Sequence, residues 1–388
     1  MSIGHGPLFP GVDPAQVRLL LKGSVENLVA TWDEQRALFP YSSRLHDAQL
    51  VNDYANPYAV RYTINSLLGL LRNARSHAPT LSETDVRSMT DAYFRRRPER
   101  QTLPADEGLT TVLLAELDAD FEVLATRVRT LAGLLARDTV RLNMQDLAWI
   151  LWGGAAAVRE GAPAAEDVVR RALEIITSDY VDVGTGLPRH STQRYRRNVV
   201  SFGSLTYFLR AMREAADAIG DKRAMQLFES GVARTIAVQG PLGEWPWMIN
   251  CRTGKPFDFY PVFAVHQDSM AMLFLHAAAT AGLSGAANAV ARSLAWVFGE
   301  NELHRQMFVE QPFFAYRSIE RAERAPRLRR YTRSIGLARP ATTGAAIIRF
   351  NDECRSYHLG WVLYVWSDWD PTANSVGPAA TRQPQQGR

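Results

Sequence analysis

The chain has 388 residues, of which 46% are hydrophobic and 22% charged, and its formal charge is +4. These proportions are ordinary for a folded protein, and the small basic excess does not by itself indicate a nucleic-acid partner. No apolar run reaches the roughly 18 residues of a membrane span, and the N-terminal stretch does not have the pattern of a signal peptide. Two cysteines are too few for a disulfide scaffold or a cysteine-built zinc site. We therefore expect a cytoplasmic protein without an integral membrane segment.

Helical periodicity dominates the chain from its first element onward. Asp13 followed by Pro14 is typical of a helix N-cap with proline in the first turn, and the apolar spacing continues to about residue 30. Asn56-Pro57 precedes a second helix in the same way. Further helices are predicted at about 83–96, 107–117, 119–137, 144–158, 164–178, 201–218, 221–237, 268–282, 286–298 and 356–367. Strand-like alternation is limited mainly to 245–265 and 345–350.

This spacing indicates consecutive helical hairpins, which could form a bundle, a solenoid or a closed toroid. Two long irregular segments, 179–199 and 239–265, are rich in Gly, Pro, aromatic and charged residues, as binding segments on a rigid frame often are. They favour the toroid: one all-α domain over 1–374, an (α/α)6 barrel of helical hairpins with a small β-hairpin insert. The helices of 1–140 could pack as a subdomain. Residues 375–388 are predicted to be a disordered tail.

The segment 245–268 has the pattern of a hairpin that leads into a helix. A turn at 253–256 would be the hairpin tip, and the two arms would bring together Trp245, Trp247, Asp258 and Tyr260. His266 and Asp268 stand at the entry to the next helix. Asp268 could be the N-cap of that helix, or both side chains could project into a cavity as acid–base or hydroxyl-binding groups. Both interpretations can hold, since a helix N-terminus also favours an anion.

A second constellation lies at 351–370, around the start of an aromatic helix. Glu353, Arg355 and His358 come first, and the tryptophans that follow fit a core-facing stripe. Glu353 and Arg355 could be a structural pair. However, Arg, Glu and His at a helix start repeat the pattern of 266–268, which indicates that both helix starts face one cleft. Asp368 and Asp370 could add carboxylates or belong to a turn that ends the helix.

Two further segments are rich in arginine. The first, 186–198, contains Arg189, His190, Arg194, Arg196 and Arg197, and the second is 316–333. Each could be a solvated basic surface or a site where arginine side chains bind a carboxylate or phosphate. If the second segment lines the cleft, the substrate is anionic.

Several common motifs are missing from the sequence. It has no glycine-rich dinucleotide motif, no Walker A lysine motif, no H-E-x-x-H and no G-x-S-x-G elbow. Its eight histidines show no zinc-like pairing. We therefore predict no metal and no cofactor.

The run of helical hairpins, with an aromatic strand pair leading into YPVFAVHQDSMAMLFLHAA, resembles the six-hairpin (α/α)6 toroids of carbohydrate-active enzymes. These include glycoside hydrolases, polysaccharide lyases and uronyl epimerases. The resemblance covers about 140–370 and rests on the overall pattern rather than on a diagnostic motif. It implies a sugar cleft lined by Trp245, Trp247, Tyr260, His266 and Asp268.

A second resemblance concerns QGPLGEW, from Gln239 to Trp245, which is similar to the Q-x-x-x-G-x-W repeat of terpenoid cyclases, another α/α toroid. Those enzymes carry several copies of the repeat and protonate their substrate with a D-x-D-D motif. Here one copy occurs, and LDADFE has only Asp118 and Asp120 of the four-residue motif. These departures count against cyclase chemistry and leave the toroid intact.

The leading hypothesis is a carbohydrate-active enzyme of hydrolase, lyase or epimerase type that acts on an acidic glycan or an intermediate of polysaccharide biosynthesis. Its acid–base groups would come from Asp268, His266, Glu244, Glu353, Tyr260 and His358. Its substrate contacts would come from Trp245, Trp247, Arg252, Asp258, Arg189, His190 and Arg355. The alternatives are a terpenoid cyclase or prenyl-processing enzyme, and a non-enzymatic helical scaffold that binds a protein. The sequence leaves the substrate, the reaction type and the oligomeric state open.

Overall fold

The structure is a computed structural model that describes residues 9–76, 79–96, 103–137, 142–193, 196–322, 332–333 and 348–369. Twelve α-helices have both ends within these ranges. They are α1 Pro14–Thr31, α2 Tyr58–Ala74, α3 Glu83–Arg96, α4 Pro104–Glu116, α5 Phe121–Ala136, α6 Met144–Arg159, α7 Ala165–Ile175, α8 Phe202–Ile219, α9 Lys222–Ile236, α10 Met272–Thr280, α11 Ala286–Val297 and α12 Ser356–Trp366. Two π-helical turns, Ile176–Tyr180 and His266–Met270, follow α7 and precede α10. Each α-helix coincides with a predicted one, and Asp13 caps α1 as predicted.

The strands are short and antiparallel. They are β1 Ser42–His46, β2 Gln49–Asp53, β3 Val199–Ser201, β4 Met248–Asn250, β5 Pro256–Asp258, β6 Val262–Phe263, β7 Phe308–Glu310, β8 Phe313–Ala315, β9 Ser318–Arg321, β10 Ile348–Asn351 and β11 Glu353–Cys354. They form sheets of order β11-β1-β2, β10-β9-β6, β3-β4-β5 and β7-β8. The predicted hairpin is β4–β5. The sequence did not predict β1–β3, β7–β9 or β11, because strands of two to five residues are too short to show a clear alternation.

The helices form two concentric rings. Within the inner ring α2 packs on α4, α4 on α6, α6 on α8, and α8 on α10, while α12 contacts both the turn before α10 and α2, which closes the ring. The outer helices α3, α5, α7, α9 and α11 each pack on the inner helix before them, and α1 packs on α12. Burial follows this arrangement: ten of the eleven residues of α12 are buried, whereas α7 buries one side only. The architecture is the predicted (α/α)6 toroid.

Glycines allow the first and last inner helices to touch. A Cβ atom on Gly69 of α2 would lie 2.0 Å from the carbonyl oxygen of Gly360, and a Cβ on Gly360 of α12 would lie 2.6 Å from that of Asn65. Gly108 and Gly153 are in similarly close contact with backbone atoms between α4 and α6. Backbone atoms cannot move aside as a flexible side chain can, so these positions require glycine.

Gly360→Ala should therefore destabilise the protein by about 2–4 kcal/mol, because the added methyl group forces α2 and α12 apart. Gly133→Ala is the matched control: it lies inside α5, and its Cβ would meet no atom within 4 Å. That change should stabilise the protein by about 0.5–1 kcal/mol through helix propensity. Urea unfolding of both variants measures the difference, and equal stabilities would contradict the proposed glycine contact.

The connections differ at the two ends of the toroid. The links from an inner helix to the next outer helix are short, from two residues between α8 and α9 to eight between α2 and α3. The links from an outer to an inner helix carry all of the strands named above. Because the inner helices run in the same direction, these links gather at one end of the toroid, and the described strands lie in the links that lead into α2, α8, α10 and α12. We call this end of the toroid the mouth.

Some predictions concern residues outside the described ranges: the tail 375–388, Asp370, Arg194 and residues 323–331 of the basic segment 316–333. None of the described helices is both long enough and apolar enough to cross a membrane.

Candidate active site

Two inner-helix starts meet at the mouth through His358 and Asp268. His358 lies in the first turn of α12, and Asp268 lies in the π-helical turn before α10. The Nε2 atom of His358 is 2.7 Å from Oδ2 and 2.9 Å from Oδ1 of Asp268, and each residue is 2% exposed. The prediction that 266–268 and 353–358 approach each other is thereby confirmed. Asp268 is not the helix N-cap, because its carboxylate faces His358 and no side-chain cap bond precedes this turn.

The π-helical turn aims His266 and Asp268 toward α12. Such a turn inserts an extra residue into the helical ladder, here closed by a 3.2 Å bond from the Ala271 N–H to the His266 carbonyl. The indole N–H of Trp366 donates to the carbonyl oxygen of Asp268 at 2.6 Å. Trp366, in the last turn of α12, therefore holds the backbone of Asp268, and the side chain of Asp268 pairs with His358 in the first turn of α12.

His266 is a buried, uncharged imidazole next to this pair. Its ring packs against Phe202 and Phe263, with ring centroids 4.9 and 5.0 Å away. Burial, together with the neighbouring His358, lowers the pKa of His266 to about 3. Its Nδ1 atom is buried and meets no hydrogen-bond partner within the described ranges. At neutral pH the ring therefore carries no charge.

Three arginines converge on Glu353, which lies at the rim of the mouth. Arg44 Nη2, Arg317 Nη1 and Arg355 Nη2 are 2.8, 2.9 and 2.5 Å from its carboxylate oxygens. Burial acts to raise the pKa of Glu353, but Arg355 and Arg317 outweigh this and lower it overall. Glu353 is therefore an ionised acceptor that joins β1 to the residues that immediately precede β9 and α12. The exposed Asp352 also pairs with Arg44. Even with this carboxylate included, the three guanidinium groups outnumber the two carboxylates.

Tyrosines continue this wall of the mouth. The ring of Tyr62 lies 5.3 Å from that of Tyr41 and 4.5 Å from that of Tyr357. The guanidinium of Arg355 lies 3.7 Å over the Tyr41 ring, and its side chain is only 5% exposed. Arg355 was predicted to contact the substrate, but in this position it mainly supports Tyr41 and Glu353.

The more accessible groups beside His266 are Trp247, Phe263 and Arg317. The rings of Trp247 and Phe263 are both half-buried, and their centroids are 6.1 Å apart. Arg317 lies 5.6 Å over the Phe263 ring, and 32% of its side chain is exposed. Aromatic faces and a guanidinium suit a sugar ring with a negative group.

Three predicted residues lie behind the mouth rather than in it. Trp245 is fully buried: it stacks on Phe202 at 5.1 Å and donates its indole N–H to Ser293 Oγ at 2.8 Å. No face of Trp245 is left for a sugar, so it is not the stacking platform that the sequence suggested.

Glu244 and Tyr260 belong to a separate buried group with Glu302. Glu244 accepts the Leu242 N–H at 2.9 Å, and burial and the neighbouring Glu302 raise its pKa. The Tyr260 hydroxyl donates to Glu302 at 3.0 Å, and burial and Glu302 raise the pKa of Tyr260. The described contacts of these two residues do not include His266, His358 or Asp268.

The remaining predicted contacts lie toward the edge of the site. Arg252 is exposed in the turn after β4, and Asp258 is buried 3.6 Å from Arg333. Arg189 pairs with Asp182 at 3.5 Å. His190 is half-buried with Nδ1 3.4 Å from Ser204 Oγ, and burial lowers its pKa.

Sequence reasoning missed Arg61, which the structure places at the mouth. Its Nε donates to Asp106 at 2.6 Å, and its guanidinium lies 4.9 Å over the Trp149 ring. It also lies close enough to Tyr207 to oppose the rise that burial causes in the pKa of that hydroxyl. Two tyrosines close to Arg61 in sequence, Tyr58 and Tyr62, could have indicated this position. A half-exposed aromatic ring beside a charged residue is unusual at the start of a core helix.

The residues of the terpenoid-cyclase resemblance have structural roles. The Gln239 amide donates to the carbonyls of Gly243 and Ala289, and thereby joins this loop to α11. Asp118 lies in the link between α4 and α5, at the end of the toroid opposite the mouth, where it pairs with Arg75 at 3.1 Å. This carboxylate is therefore far from the group formed by His358 and Asp268.

No metal-like grouping of three or more His, Cys, Asp or Glu side chains occurs in the part of the chain that the structure describes. A scan against protein-family models finds no match, and a search of the curated proteins finds no significant match.

Solved structures, by contrast, share the fold. Cellobiose 2-epimerase from Bacillus thermoamylovorans is similar over 92% of this chain and 100% of its own, with a TM-score of 0.62 and 10% identity. Unsaturated glucuronyl hydrolase from Streptococcus agalactiae is similar over 92% and 93%, with a TM-score of 0.59 and 9% identity. An α-1,6-mannanase of Salegentibacter is similar over 91% and 98%, with a TM-score of 0.55 and 8% identity. These matches establish the toroid fold that carbohydrate-active enzymes use.

Proposed function

We propose that this chain is a carbohydrate-active enzyme of epimerase or isomerase type, in which His266 and His358 move a proton at a sugar carbon next to a carbonyl group. The observation that carries the proposal is the pairing of His358 with Asp268 beside the uncharged His266. Epimerisation requires one group to remove a proton and another to return it on the opposite face. Two imidazoles on two different inner helices provide such a pair.

The two histidines have different neighbours. Burial holds His266 unprotonated, as a group that receives a proton in the first step must be. His358 faces the Asp268 carboxylate, which stabilises the positive charge that His358 carries when it holds a proton. The carboxylate also orients the ring, since both of its oxygens are within hydrogen-bonding distance of Nε2. In the reverse direction the two roles exchange.

Hydrolysis has less support among the described acids. A glycoside hydrolase commonly uses two carboxyl groups at the scissile bond, one of them protonated. Asp268 is engaged by His358, and arginines keep Glu353 ionised. Glu244 has a raised pKa, but it lies in the buried group with Glu302. The similarity to cellobiose 2-epimerase supports the epimerase choice within the shared fold.

The proposed substrate is a sugar or oligosaccharide with a negative group, such as an acidic glycan. The arginine surplus around Glu353 supports this, and Arg317 is its accessible member next to Phe263. The similar unsaturated glucuronyl hydrolase is named for an acidic sugar, which is consistent with this choice. Trp247 and Phe263 would contact the sugar face.

The reaction can be tested in deuterated water with a panel of neutral disaccharides and uronate-bearing oligosaccharides. We expect deuterium to enter one carbon-bound position, and a new epimer or ketose to appear, both detected by NMR. Release of new reducing ends without exchange would establish hydrolysis instead. No change in any carbohydrate of the panel would contradict the proposal.

Arg317→Gln tests the substrate charge. The change should raise KM for uronate-bearing substrates about tenfold, which corresponds to about 1.4 kcal/mol of lost binding, and should leave KM for neutral sugars within twofold. Arg18→Gln on the exposed side of α1 removes the same charge far from the mouth and should change neither. Equal effects of Arg317→Gln on both substrate classes would rule out charge recognition by this residue.

A further inference from the structure

The π-helical turn that carries His266 and Asp268 is held from behind by the outer helix α11. Ser293, fully buried on α11, donates its hydroxyl to the carbonyl oxygen of Gln267 at 2.8 Å. Gln267 is the residue between His266 and Asp268. One hydroxyl thus bonds to the short backbone segment from which both side chains project.

The same hydroxyl is itself held in place. Its oxygen accepts the indole N–H of Trp245 at 2.8 Å, and Trp245 stacks on Phe202, whose ring lies against His266. Arg292, the neighbour of Ser293 on α11, donates to the Gly240 carbonyl at 2.5 Å and so fixes the loop that leads to Trp245. Ser293 therefore has one defined orientation, with its proton directed at Gln267.

A π-helical turn interrupts the regular i→i−4 ladder and persists where its surroundings supply other bonds. Here two such bonds come from opposite sides: the Ser293 hydroxyl reaches the Gln267 carbonyl, and the Trp366 indole reaches the Asp268 carbonyl. Without the first bond the turn can relax toward a regular helix. Relaxation would rotate His266 and Asp268 about the helix axis and away from His358.

We infer that Ser293 is a positioning residue, which sets the orientation of His266 and Asp268 through the carbonyl group of Gln267. The effect of Ser293 on turnover rests on the function proposed above, whereas its effect on the orientation of His266 and Asp268 does not. Catalytic groups misplaced by about 1 Å can lose on the order of 10²-fold in rate, so a remote hydroxyl can have a measurable effect.

Ser293→Ala should lower the rate of deuterium exchange by about tenfold or more and leave KM within twofold, because the substrate contacts are untouched. Histidine ring NMR provides a readout that needs no substrate: the titration midpoint of His266 should rise by about one pH unit as its packing loosens. Ser293→Thr, which keeps the hydroxyl, should restore both. Ser230→Ala on α9 is the matched control, because this exposed hydroxyl donates to the Gln226 carbonyl of its own helix at 2.7 Å.

Wild-type histidine titrations and a wild-type rate in Ser293→Ala would overturn the inference. If Ser293→Ala does not fold, Trp245→Phe replaces it: this variant loses the indole donor but keeps Ser293, and it should shift the His266 titration in the same direction by less. An unchanged titration in Trp245→Phe would then overturn the inference. If the titrations shift but no sugar exchanges even with the wild-type protein, the positioning role stands and the proposed function fails.

Discussion

Asp268→Asn should reduce the rate of proton exchange on a sugar substrate by about 10²–10⁴-fold, while the thermal midpoint falls by no more than about 5 °C. Asparagine has the same shape as aspartate and can still hydrogen-bond to His358. It lacks the negative charge that stabilises His358 when this ring is protonated. The loss should appear in kcat rather than in KM, measured as deuterium incorporation at saturating substrate.

The control is Asp258→Asn, which removes the charge of another buried carboxylate, one that faces Arg333 at 3.6 Å. It should lower stability without removing the exchange activity. Loss of exchange in Asp258→Asn, with exchange kept in Asp268→Asn, would contradict the catalytic role assigned to Asp268. A large fall in the thermal midpoint of Asp268→Asn, with its rate kept, would show that Asp268 stabilises the turn and does not serve catalysis.

His266→Gln should lower epimerisation by at least about 10³-fold but retain deuterium exchange with one of the two epimers. With two bases, each removes the proton from one face of the substrate carbon. When His266 is absent, His358 can still remove and return the proton of the epimer that faces it. No group is then left to deliver a proton to the opposite face, so the other epimer does not form. His358→Gln should show the reverse preference. Loss of exchange with both epimers in each variant would indicate one base rather than two.

The stability of the wild type relative to His266→Gln should depend on pH. The pKa of His266 is about 3 in the folded chain and 6.5 for an ordinary histidine, so below pH 6.5 the unfolded chain binds a proton that the folded one does not. The stability associated with the neutral ring is fully present above pH 6.5 and is lost as the pH falls toward 3. Relative to His266→Gln, the wild type should lose roughly 1 kcal/mol per pH unit between pH 6 and 5, measured by urea unfolding. A constant difference across this range would show that His266 is not held neutral.

The helical architecture could be predicted because its signals are local. The spacing of apolar residues and the pair Asp13-Pro14 both lie within a few residues of the element they define. The pairing of His358 with Asp268, 90 residues apart, was suggested only by the similarity of two helix starts. That suggestion was sufficient, since a closed ring brings all the inner-helix starts to one end.

The roles of individual acids and aromatics could not be predicted in this way. Glu244 and Trp245 adjoin the same hairpin as Trp247, yet both turn into the protein because Gly240, Ser293 and Leu242 offer them space and hydrogen bonds. These partners are distant in sequence or are backbone groups, and such contacts cannot be predicted from the residue types of Glu244 and Trp245. Arg44 was overlooked for the same reason, and Arg317 was noted only as part of the basic segment 316–333, since each becomes significant only through its bond to Glu353.

The contact of Gly69 with Gly360 has a consequence for biosynthesis. Because α2 closes against α12, a nascent chain that has not yet released residues 356–366 from the ribosome has no closed ring. It also lacks His358 at the mouth. Until α12 is released, the apolar inner sides of the first hairpins stay uncovered and open to self-association. A product truncated before α12 would lack His358 and the closed ring, so it should have none of the proposed activity.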